Sequence, residues 1–196
     1  MAPAIKLEER YTYKDYLTWP DDERWELING IAYNMSPAPT RWHQSLLMIL
    51  ANKCYNFLDG KPCQPFVAPF DVRLTDKETI NNETATVVQP DIVVVCDDTK
   101  LDDRGCNGAP DFVVEILSES TASRDLHEKL FLYEHFGVKE YWIVDLWSRT
   151  IRVHLYADGQ FAPAKIFTEK DLLPAAVLLG LKINLQELFK DIPRHI

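Results

Sequence analysis

The chain has 196 residues, enough for one well-packed domain and short for two. An apolar share of 46% and a charged share of 26% are those of a folded globular protein and exclude a chain dominated by disorder. The net charge of −9, from 21 basic against 30 acidic residues, argues against a broad basic face for capturing nucleic acid, while leaving room for a local groove or a cluster of site carboxylates.

No apolar run approaches the ~18 residues of a membrane span, and the first ten residues carry no apolar signal region. A cytoplasmic protein with no membrane contact is therefore expected. The four cysteines, Cys54, Cys63, Cys96 and Cys106, form no C-x-x-C pair, so reduced thiols are expected. No repeat or Gly/Ser linker divides residues 1–196, which read as a single domain. An N-terminal helix and hairpin cover 11–36, a core covers about 40–147, and a C-terminal hairpin and tail cover 150–196.

In chain order, Thr12 caps a short helix reaching about Leu17. Asn29-Gly30 between Trp25–Ile28 and Ile31–Tyr33 is a strong hairpin signal, because both turn positions tolerate positive φ. Thr40 caps a helix over Arg41–Leu58, whose apolar residues recur at helical spacing, and Asp59-Gly60 ends it. Phe66–Leu74, Val88–Cys96 and Phe112–Ser118 are strand candidates. The last two are nearly continuous apolar runs, which suit strands covered on both faces. Asp71 and Arg73 alternate with Val72 and Leu74 and fit the polar face of an edge strand. Thr75–Thr86 and Asp97–Pro110 read as polar loops. A second helix begins at Thr121–Ser123 and stops at Gly137. Glu140–Asp145 is a further strand, with Tyr141 and Trp142 in the core. Thr150–Tyr156 and Phe161–Phe167 form a closing hairpin, and a strand near Val177–Ile183 and a helix near Leu185–Phe189 end the chain. The predicted class is α/β (α+β), a mixed sheet with helices on its faces.

Glu115 interrupts an apolar strand. A carboxylate there loses hydration worth several kcal/mol unless a cation or donors compensate. It is a metal ligand, or else a strand-end glutamate that faces solvent or pairs with an arginine. A hard divalent ion needs more than one oxygen ligand. Asp111 lies four residues from Glu115 on the same strand, about 13 Å away, too far to share an ion. Asp91 lies on the preceding strand candidate, and since neighbouring strands are about 4.8 Å apart it can share an ion with Glu115 if those strands pair. On a helical wheel Lys129 falls inside the apolar stripe of Leu126, Leu130, Tyr133 and Phe136. Its ammonium either snorkels to water or enters the carboxylate site, where it would orient water or stabilise charge on a phosphate. Asp, Glu and Lys around a divalent ion suit phosphodiester hydrolysis. No Rossmann fingerprint, phosphate-binding glycine loop or G-x-S-x-G elbow competes.

The stretch Asp111-Phe-Val-Val-Glu-Ile-Leu-Ser-Glu-Ser-Thr, followed by Arg124–Asp145, resembles the Uma2 family (DUF820), as do Trp25-Glu-Leu-Ile-Asn-Gly, Ser36-Pro-Ala-Pro, His43 and Gln89-Pro-Asp-Ile-Val-Val. The resemblance spans nearly the whole chain. It implies the PD-(D/E)XK, restriction-endonuclease-like fold, with Asp91 as the motif aspartate and Glu115 as its acidic partner. The plain motif places lysine two residues after the glutamate, where this chain has Leu117. The family resembles branches whose lysine has moved to the next helix, which points to Lys129. It also implies Glu26 as a further acidic contributor, against a plain exposed hairpin carboxylate. His43 is either a member of the site or a helix cap and packing residue.

The expected function is a Mg²⁺- or Mn²⁺-dependent endonuclease acting on DNA, with Asp91 and Glu115 on the ion, Lys129 at the water and Glu26 assisting. A homodimer would suit a cut on both strands. The alternative is a nuclease fold kept as a non-catalytic binding module.

Overall fold

The computed structural model describes residues 9–20, 22–35, 39–75, 83–118 and 126–193. Helix α1 (Tyr13–Tyr16) follows Thr12, whose amide and hydroxyl both reach the Asp15 carboxylate. Strands β1 (Trp25–Ile28) and β2 (Ile31–Asn34) form the expected hairpin, with φ of 51° at Asn29 and 81° at Gly30. Helix α2 spans Arg41–Leu58, capped by the Thr40 hydroxyl on the amide of His43. Strands β3 (Gln64–Val67), β4 (Val72–Arg73), β5 (Val87–Val88), β6 (Ile92–Val95), β7 (Leu101–Asp102), β8 (Gly105–Asn107) and β9 (Phe112–Ile116) follow, and then helix α3 (Glu128–His135). The chain continues through β10 (Glu140–Asp145), β11 (Thr150–Ala157), β12 (Gln160–Phe161), β13 (Lys165–Thr168), β14 (Leu172–Pro174), β15 (Lys182–Asn184) and helix α4 (Leu185–Phe189). No described helix is long and apolar enough to cross a membrane.

The main sheet has the order β12-β11-β10-β9-β6-β3, with β13 also on β11. β9 and β10 are parallel, joined through α3, and β6 and β9 are antiparallel. A second sheet runs β2-β1-β5-β4-β8-β7, and β14 pairs with β15 apart from both. The core has two faces. Ile92, Val94, Phe112, Val114 and Trp142 pack with α2 and α4 on one side. Val93, Val95, Val113, Tyr141 and Ile143 pack with α3 and the second sheet on the other. Burial on both faces is what the continuous apolar runs required.

Several expectations are corrected. Phe66–Leu74 is not one strand, because β3 belongs to the main sheet and β4 to the second. The run Val88–Cys96 divides in the same way between β5 and β6. The chain changes sheet at Pro69, Pro90 and Pro110, residues that have no N–H with which to continue a ladder. Arg73 does not mark a polar edge. β4 lies between β5 and β8, and Arg73 is 1% exposed, bonded to Asp102 and to the Cys106 carbonyl. Cys63 and Cys96 are not free thiols. The β3–β6 register brings them opposite each other, where they form a disulfide, while Cys54 and Cys106 are buried and free.

Residues 97–110 also carry more order than a loop, with a 3₁₀ turn and the β7–β8 hairpin. Gly105, at φ 123°, packs so closely that a Cβ there would stand 2.2 Å from the Asp71 carbonyl oxygen. β14 was not anticipated, and the final strand lies later than expected, at Lys182–Asn184. The expected helix start at Thr121–Ser123 lies outside the described residues, and its end at Gly137 is observed at φ 76°.

A candidate active site where two sheets meet α3

Glu115 lies on the same side of β9 as Val113, so it faces α3 rather than α2. It is 4% exposed. Lys129, in the first turn of α3, is also buried, and its Nζ lies 2.8 Å from Glu115 Oε1 and 2.8 Å from Glu26 Oε1. Snorkelling is therefore not what this side chain does. Glu26 shares the inward side of β1 with Ile28, and its Oε1 also accepts the amide of Gln89 at 3.0 Å. It is buried, not an exposed hairpin carboxylate. One turn beyond Lys129, the Tyr133 hydroxyl donates to Glu115 Oε1 at 2.9 Å. Burial, reinforced by the charge of Glu115, holds the Tyr133 phenol well above its ordinary pKa, so it remains a donor.

Asp91 stands at the entrance to β6. Carrying the register Ile92↔Val114 one step back sets it opposite Glu115. Its Oδ2 accepts the amide of Ile116 at 2.8 Å and contacts His43 Nε2 at 3.1 Å. Its Oδ1 takes no hydrogen bond from the described residues. Asp111, at the far end of β9, accepts the Cys96 amide and pairs with Lys139, well removed from this cluster. A polar chain braces the site from behind. The Gln89 side chain receives Arg24 and donates to Tyr16 and Asp71.

The cluster thus holds two buried carboxylates around one ammonium, with a third carboxylate one strand away. Desolvation makes such an arrangement costly unless every charge is engaged. Among the described residues, no three His, Cys, Asp or Glu side chains stand close enough to cage a metal. Mg²⁺ is commonly held by one or two carboxylates with water completing the shell, and Asp91 and Glu115, opposite each other when the β6–β9 register is carried one step on, are the residues that would hold it. A cavity of about 640 Å³ opens between the β1–β2 hairpin and α3, lined by Ile28, Tyr33, Phe131 and His135 among others, but by none of the cluster residues.

Tyr133, Gln89 and Arg24 escaped the sequence reading. Tyr133 had a visible signal, standing four residues after Lys129 on the same helical stripe, which on its own reads as core. Gln89 and Arg24 had none, since their contact joins positions 65 residues apart.

A family model described as "Uma2: Putative restriction endonuclease" matches residues 13–186. An uncharacterized protein of Synechocystis, slr1290, is 28% identical over 158 residues, covering 79% of this chain and 76% of its own length. The crystal structure of a protein from Anabaena variabilis, described as "a putative nuclease belonging to DUF820", superposes with a TM-score of 0.74 at 17% identity, covering 92% of this chain and 98% of that one. At that identity the likeness speaks for the fold.

Proposed function

Because the chain belongs to the Uma2 family, we propose that it is a divalent-metal-dependent nuclease that hydrolyses phosphodiester bonds in DNA. Asp91 and Glu115 would hold Mg²⁺ or Mn²⁺. A cation bound there would supply Lewis acidity toward phosphoryl oxygen and water. The observation that carries the proposal is the Lys129 ammonium, with its side chain 3% exposed, bridging Glu26 and Glu115 at 2.8 Å each. A cation so placed is pre-oriented toward the place where a phosphate would gain negative charge, in a low-dielectric setting where its field counts most. Glu26 and Tyr133 restrict the motion of that ammonium and of Glu115, and Lys129 orients the attacking water or offsets the developing charge. The family description, and that of the Anabaena relative as a nuclease, favour nucleic acid as substrate.

The test is incubation of the purified chain with supercoiled plasmid, single-stranded DNA, RNA and a chromogenic phosphodiester, with Mg²⁺ or Mn²⁺. Plasmid nicking is expected, falling at least ~100-fold in Asp91→Asn and Glu115→Gln. Intact polymers throughout, from a folded protein, would favour a second reading: a nuclease fold that binds without cutting. The net charge of −9 and Leu117, where the plain motif has lysine, favour that second reading.

A further inference from the structure

His43 is a buried polar side chain beside the site that the mechanism above does not use. It sits in the first turn of α2, 7% exposed, and its Nε2 lies 3.1 Å from Asp91 Oδ2. Its other ring nitrogen, Nδ1, is buried and has no hydrogen-bond partner among the described residues. That pairing fixes the tautomer. If the proton sat on Nδ1, a donor would be buried unpaired while the Nε2 lone pair faced a carboxylate oxygen. With the proton on Nε2, the ring donates to Asp91 and only a weaker-demand acceptor is left unmet.

Two donors then converge on a single oxygen. Asp91 Oδ2 receives His43 Nε2–H and the Ile116 amide at 2.8 Å. The Ile116 bond ties Asp91 to the strand that carries Glu115, and the His43 bond ties it to α2. With Oδ2 held from both sides, the carboxylate cannot rotate freely, and Oδ1 is the oxygen left for a ligand. An apolar side chain at 43 would pack as well, without stranding a ring nitrogen. The buried imidazole is therefore better explained by its hydrogen bond than by its volume.

We infer that His43 is a positioning residue that locks the Asp91 carboxylate with Oδ1 presented to the divalent cation. The inference rests on the assignment of Asp91 as a metal ligand. Partners of this kind, which orient a ligand without touching the ion, typically change metal affinity by about 10–100-fold when removed.

The test uses Mn²⁺ as the probe and the full chain, with free Mn²⁺ counted by electron paramagnetic resonance. His43→Ala is expected to weaken Mn²⁺ binding by about 10–100-fold. His43→Gln, whose amide N–H reaches about as far as Nε2, should return affinity to within a few-fold of wild type. Should His43→Ala fail to fold, His43→Asn takes its place: it keeps a polar amide too short to reach Asp91 and should bind as weakly. Nitrogen-15 NMR of the metal-free protein should show His43 protonated at Nε2, with the resonance shifted in Asp91→Ala. A folded His43→Ala that binds Mn²⁺ like wild type overturns the inference and leaves the nuclease proposal standing. A wild-type chain that takes up no Mn²⁺ overturns both.

Discussion

Strands β6 and β9 are entered through the same dipeptide, Pro90-Asp91 and Pro110-Asp111, and they run antiparallel. The two ends of the pair are therefore near copies. At one end Asp91 Oδ2 accepts the Ile116 amide at 2.8 Å, and at the other Asp111 Oδ2 accepts the Cys96 amide at 2.7 Å. Each aspartate closes the ladder where its partner strand runs out, which is a structural task. What surrounds the two caps differs. Asp111 is finished by Lys139, whose side chain is 64% exposed, and the Cys63–Cys96 disulfide lies beside it. Asp91 meets a buried histidine and adjoins a buried lysine shared by two glutamates. Capping alone needs nothing beyond what the Asp111 end has. The additional buried charge at the Asp91 end has a desolvation cost and no counterpart at the Asp111 end, and it is the reason the proposed function is placed there.

The largest expected difference between the ends is in the lysines. Lys129→Met leaves Glu26 and Glu115 buried without their cation and should cost about 3–5 kcal/mol in urea unfolding at neutral pH. Lys139→Met removes a cation whose side chain is 64% exposed from one buried carboxylate that keeps the Cys96 amide, and should cost clearly less than Lys129→Met. Similar losses in the two variants would erase the contrast. Next comes the disulfide: Cys63→Ser with Cys96→Ser should lower stability by about 2–4 kcal/mol. Mn²⁺ affinity should not change, because the bridge stands at the Asp111 end, and a change would mean that the two ends are coupled. Smaller still, Tyr133→Phe removes one donor to a charged oxygen and should cost about 1.5–3 kcal/mol, read by thermal denaturation. An unchanged melting temperature would mean that Glu115 is held without it.

Much of the Asp91 end was legible in the sequence because it is written in local periodicity. Glu115 breaks an apolar run, and Lys129 falls in an apolar helical stripe. The fixed periods of strand and helix set both among apolar neighbours, while whether Glu115 faced solvent and whether Lys129 snorkelled was decided only by the packing. The bounds of α2 and the Asn29-Gly30 turn were legible for the same reason. What local pattern does not encode is which sheet a strand joins. A period of two tells the face of a residue but not its neighbour, so the transfers at Pro69 and Pro90, the burial of Arg73 and the meeting of Cys63 with Cys96 stayed hidden. His43 lay in plain view at a helix start, but its partner Asp91 is 48 residues away, and only the packing of α2 against the sheet brings them together.

The contrast between the two aspartates is tested most directly by calorimetric titration of Mn²⁺ into the wild-type chain, Asp91→Asn and Asp111→Asn, each confirmed as folded. Wild type and Asp111→Asn should bind with the same affinity, and Asp91→Asn should show no binding at the same concentrations. Equal binding by all three proteins, or by none, would contradict the assignment of the Asp91 end as the metal site.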